Sequence, residues 1–107
     1  MNDNRRGGNR HHKDLQLCRQ VFDALTYALA ELDDPMIEEL VLVSVVPAPT
    51  SARVQVILTP TRDNFDFDAA LVRLRDVADE LREEVAAEVN RRRVPELVFR
   101  IEPPDVQ

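Results

Sequence analysis

Residues 81–101 read LREEVAAEVNRRRVPELVFRI, and the spacing of the apolar residues changes in the middle of that stretch. Leu81, Val85 and Val89 recur every fourth residue, which lines one face of a helix. Leu97, Phe99 and Ile101 recur every second residue, which lines one face of a strand. Val94-Pro95 separates the two patterns, because the residue before a proline is pushed out of the α region. A helix therefore runs directly into the last strand. If that strand lies parallel to the one before the helix, the connection is a right-handed crossover.

Going back from Leu81, the helical stripe continues through Val77, Ala78, Leu74, Leu71 and Ala70, so the helix spans about Phe67 to Asn90. Asp66 is its expected N-cap, since a carboxylate there accepts from the unpaired amides of the first turn. The outer face carries Arg73, Arg75, Asp76, Asp79, Glu80, Arg82, Glu83, Glu84 and Glu88. Opposite charges three and four residues apart predict a solvated, ion-paired surface there. Further back, Arg53–Thr59 reads as a strand with Val54, Val56 and Leu58 on one side. Leu40–Val46 reads as another, rich in valine and bounded by Pro47. Pro47–Ser51 joins them without a glycine, which predicts a hairpin with a roomy loop. The first helix covers about Lys13 to Leu32, with Leu17, Val21, Ala24, Leu25, Ala28, Leu29 and Leu32 on one face. Asp33-Asp34-Pro35 stops it. The seven prolines all fall at or beside these boundaries. The expected fold is α+β, in the order helix–strand–strand–helix–strand, with a three-stranded mixed sheet covered by helices on one face.

The length of 107 residues, with 44% hydrophobic and 32% charged, suits one soluble domain. Residues 1–12 are polar and basic without periodicity and are expected to be a disordered tail. The domain then covers 13–102, and 103–107 form a C-terminal tail. The longest apolar runs are strand-length, so no membrane span is expected. The N-terminus shows no apolar signal segment. A single cysteine permits no intrachain disulfide, and a cytoplasmic setting follows.

Glycine gives the sharpest exclusion. Gly7 and Gly8 are the only two, and both lie in the tail. Phosphate cradles need residues that take positive φ and let the backbone approach the ligand, so P-loop and dinucleotide fingerprints are absent. No nucleotide or other cofactor is expected. His11, His12, Asp14 and Cys18 do not make a metal site, because adjacent histidines point to different sides of a helix and no second cysteine closes a tetrahedron. Ser44 and Ser51 have no histidine in the folded region to act as base, and the helix-face carboxylates lack the burial that tunes a catalytic acid. No enzyme is expected and no small-molecule substrate.

The basic residues carry more information. Thirteen of the fourteen are arginine, whose planar fork suits phosphate. Arg91-Arg92-Arg93 directly follow the second helix, the first helix offers Lys13 and Arg19, and the tail offers Arg5, Arg6 and Arg10. The chain as a whole is acidic, with a formal charge of −6, which is the wrong sign for the usual electrostatic footprint on nucleic acid. The alternative is a solubilising helix end with cations at its C-terminus.

Leu81-Arg82, the basic run Arg92-Arg93 and Val94-Pro95-Glu96-Leu97-Val98-Phe99 together resemble the ribosome-binding factor A family. Leu32-Asp33-Asp34-Pro35 resembles the Asp-Pro after that family's first helix, and Ser51-Ala52-Arg53-Val54-Gln55-Val56 resembles its second strand. The resemblance covers about residues 13–102. It implies a single KH-like domain of the type II order whose second helix is kinked. It also implies a non-enzymatic factor, a monomer in the cytoplasm. Such a factor binds the small (30S) ribosomal subunit and 16S rRNA during late maturation and processing of the rRNA 5′ end. By the same resemblance, Arg82 joins Lys13, Arg19, Arg91, Arg92, Arg93 and the tail arginines as RNA contacts. Two positions depart from the family. Its Ala-x-Gly kink falls on Val77-Ala78-Asp79, where aspartate in place of glycine predicts a straighter helix. Its aspartate before the second strand appears as Ala48. The competing expectation is a protein–protein module on the same scaffold, pairing through the sheet edge and through Val41, Val43 and Val45 on its exposed face.

Overall fold

The computed structural model describes residues 2–48, 50–89 and 93–104, and for residues 2–14, 50 and 51 it describes the backbone alone. The elements are α1 (Asn2–Glu31), a 3-10 turn (Ile37–Glu39), β1 (Leu40–Ala48), β2 (Thr50–Pro60), α2 (Phe67–Asp76), α3 (Ala78–Glu88) and β3 (Glu96–Ile101). The sheet order is β1-β2-β3. β1 and β2 are antiparallel, whereas β2 and β3 are parallel, in register from Arg53↔Glu96 to Leu58↔Ile101. This is the mixed three-stranded α+β fold that the periodicity predicts.

The core lies between the inner face of the sheet and the helices. Val21, Leu25 and Ala28 of α1, Val54, Val56 and Leu58 of β2, and Leu74, Leu81 and Val85 of α2 and α3 form one buried cluster. The helical backbone of α1 starts at Asn2, earlier than the periodicity from Lys13 suggests. Its first core residue is Leu17. We propose that the folded domain begins near Lys13, with the tail before it. α1 ends where Asp33 turns to a φ of 54°, the left-handed conformation that closes many helices and that aspartate tolerates better than most residues.

Two details differ from the sequence expectation. The hairpin is tight rather than roomy: β1 reaches Ala48, β2 starts at Thr50, and the two residues are paired. Pro47 is admitted to the strand because β1 is an edge, so only one of its sides needs ladder bonds. The second difference is at Val43, where the pairing slips from Leu42↔Leu58 to Ser44↔Ile57. One extra residue reverses which side points inward. Val41 (48% exposed) and Val43 (49%) therefore face out, but Val45 (8%) is in the core, which corrects the expected exposed row of three.

The second helix is kinked at Val77, within the stretch where the resemblance places the kink, even though Asp79 stands in place of the family's glycine. Val77 sits at φ −102°, ψ 6°, and ends α2 while starting α3. The break needs no glycine. The Val77 side chain is buried at the junction of the two helices. α2 then covers β3 and α3 covers α1. A straight helix would lay one stripe on one partner. Asp79 and Glu80 fall in the first turn of α3, where carboxylates are favoured by the helix dipole.

Candidate nucleic-acid interface

Because β3 runs parallel to β2, the chain must return from the end of α3 to the start of β3. That return carries the arginine run. Its described end, residues 93–95, leads into β3 at Glu96, which pairs with Arg53 at the start of β2. An open groove of about 1220 Å³ lies there. Leu17, Ala52 and Ala86 supply apolar lining, and Arg82 and Arg93 supply cations. Asp79, Glu83 and Glu96 also line it, so the groove is mixed in charge.

The guanidinium of Arg82 is occupied. Its Nε donates to the Pro95 carbonyl at 3.3 Å and its Nη2 to the Val94 carbonyl at 2.9 Å. Arg93 is exposed at the groove edge, and Arg19 is exposed on α1 outside the groove lining. The structure thus brings together Arg82 and Arg93 from the expected set. Arg91 and Arg92 lie outside the described residues, and so do the side chains of Arg5, Arg6, Arg10 and Lys13. The side chains of His11, His12 and Asp14 also lie outside them, and Cys18 is buried in the core.

The opposite end of the sheet is organised by charges that the sequence does not single out. Asp34 divides its two oxygens. Oδ1 accepts from the Met36 and Ile37 amides at 3.0 and 3.2 Å, shaping the 3-10 turn. Oδ2 accepts from Arg73 Nε at 2.9 Å, tying α2 to the segment after α1. The Arg73 hydrogen bond is the largest cause that holds the Asp34 carboxyl below its usual range, with the two amides adding to it against the opposing effect of burial. Arg73 is raised in turn by Asp34, and Arg62 by Glu39, with which it forms a close ion pair. Arg62 also lies over the Phe65 ring, 5.7 Å from its centre. Asp66 caps α2 as expected, accepting from the Ala69 amide at 3.0 Å. Asp34 and Arg73 are far apart in sequence, so no local spacing announces them.

No family model and no curated protein matches this chain. Solved structures do. The crystal structure of ribosome-binding factor A from Thermus thermophilus superposes with a TM-score of 0.69 at 26% identity, over 80% of this chain and 92% of that one. This chain is similar to ribosome-binding factor A. The solution structure of a Thermotoga maritima protein, described as a candidate ribosome binding factor A, has the same fold at a TM-score of 0.69. It is 17% identical and covers 79% of this chain and 82% of that one. Both are described as ribosome-binding factors. Among the described residues no helix is long and apolar enough to cross a membrane.

Proposed function

We propose that this protein is a ribosome assembly factor that binds the small (30S) subunit and its 16S rRNA in the cytoplasm during late maturation, including processing of the 5′ end. The observation that carries this reading is the likeness to ribosome-binding factor A at 26% identity across four-fifths of the chain. The mechanism is non-covalent. Binding energy favours one conformation of the rRNA over its alternatives, and no bond in the RNA is made or broken by the protein. The contact surface is the α3–β3 return with its run Arg91-Arg92-Arg93, supported by Arg19, Lys13, Arg5, Arg6 and Arg10. Arginine forks on phosphates set position, and rRNA shape sets selectivity. The net charge of −6 makes this local concentration of arginine essential, because the rest of the surface repels RNA.

The test is co-sedimentation of the protein with small subunits of its own host across a salt series. Retention that falls steeply with salt is expected. Replacing Arg92 and Arg93 together by glutamine should weaken retention and lower the salt slope by about two, one per phosphate contact. An unchanged affinity and slope would remove those residues from the interface. Failure of the unsubstituted protein to bind subunits at low salt would favour the protein–protein module, with Val41 and Val43 on the exposed face of the edge strand as its contact.

A further inference from the structure

Arg82 invites a role as a phosphate contact, since it lies in the groove beside the arginine run. Its bonding says otherwise. The fork spans two consecutive carbonyls, Val94 O at 2.9 Å and Pro95 O at 3.3 Å. The stretch from Arg93 to Pro95 has no sheet ladder of its own, because pairing with β2 starts at Glu96 and Pro95 has no N–H. Beside the packing of Val94 and the buried Pro95, its hydrogen-bonded attachment to α3 is made by the Arg82 side chain. Only arginine presents two N–H groups in a fixed plane with that reach; lysine is a single point charge on a flexible stem. On the other side of this tie stands Arg93, exposed at the groove edge and last in the run of three.

We infer that Arg82 is a positioning residue, which holds Val94 and Pro95 against α3 and so fixes where the adjoining Arg93 is presented. The inference rests on the ribosomal reading for the purpose of the tie, and on the two hydrogen bonds for the tie itself. The negative side chains Asp79 and Glu83 flank Arg82 on α3. They offset its charge toward an approaching phosphate while leaving its donors aimed at the carbonyls.

The experiment uses the full chain, purified host small subunits, and two variants, Arg82→Met and Arg82→Lys. Each is made alone and in a chain whose Arg91, Arg92 and Arg93 are all glutamine. Both variants should weaken subunit binding about tenfold and to a similar extent, as loss of a charge-assisted pair of hydrogen bonds does. The salt slope should be retained. In the glutamine background neither variant should add much, because there is no Arg93 left to position; such coupling marks residues that act as one unit. Amide exchange over residues 93–98 should quicken in both variants while Val54 and Val56 stay protected. Wild-type affinity in Arg82→Lys, with Arg82→Met losing affinity and about one unit of salt slope in both backgrounds, would make Arg82 a direct phosphate contact and overturn the inference. Unchanged exchange over 93–98 would overturn the tie itself. If the unsubstituted chain does not bind subunits, the ribosomal reading and the purpose of the tie fall together, while the exchange data still report whether the tie exists.

Discussion

The two ends of the sheet use arginine in opposite ways. At the end where α1 stops and α2 starts, Arg62 is matched to Glu39, Arg73 to Asp34 and Asp76, and Arg100 to Glu102. At the end where α3 returns to β3, Arg82 is spent on backbone carbonyls, and Arg93 is exposed with no ion pair among the described residues. The described ion pair at that end, Arg53 with Glu96, spans 3.9 Å between two exposed side chains. At the first end the pairs Arg62–Glu39 and Arg73–Asp34 join elements remote in sequence and serve folding. At the second end Arg93 is left facing outward, beside Asp79, Glu83 and Glu96 of the same groove. An overall charge of −6 conceals this separation, because it averages over both ends.

The core beneath the two ends should not share their difference. Leu74 (0% exposed) lies in α2 and Leu81 (1%) in α3. Replacing either by alanine should cost about 3 kcal/mol by urea unfolding, the usual size for a buried leucine. A much smaller cost at Leu81 would mean that the arginine-bearing end is loosely packed, and the comparison would then be one of order rather than charge.

Asp34→Ala is the next largest change. It removes acceptors from the Met36 and Ile37 amides and the partner of Arg73, and should cost about 2 kcal/mol after allowance for the half-exposed arginine. Subunit binding should be unaffected at temperatures where the variant is folded. Loss of binding without loss of stability would break the division of labour between the ends. The same residue sets a pH dependence. Its folded pKa lies below the unfolded value of about 3.9, so its stabilisation is complete above that value and is lost as pH falls through the folded one. Stability measured from pH 5 downward should fall more steeply in the wild type than in Asp34→Ala; parallel curves would remove Asp34 from the acid response.

The smallest effect is expected for Arg53→Gln. The pair with Glu96 is exposed and long, so unfolding should shift by less than about 0.5 kcal/mol. A larger loss would show that the arginine-bearing end also relies on ion pairs.

Element order was legible in the sequence because each apolar stripe has one period and the prolines punctuate it. The cap at Asp66 was legible for the same local reason. The bulge at Val43 was not: Leu40–Val46 is apolar on both sides, so alternation cannot say where one residue is skipped. The helix break was legible only through the family resemblance, since Val77 continues the apolar stripe and no glycine or proline marks it. Of the site, the arginine run was legible as composition, but the carbonyl partners of Arg82 were not, because a guanidinium reaching past twelve residues leaves no spacing signal.

The sequence by itself determined the α+β order, the buried faces, and the exclusion of glycine-based phosphate cradles, all of which follow from residue type and local periodicity. The tertiary structure decided which charges hold the fold and which remain outward. That choice depends on distances between segments far apart in the chain, and no local pattern encodes those distances.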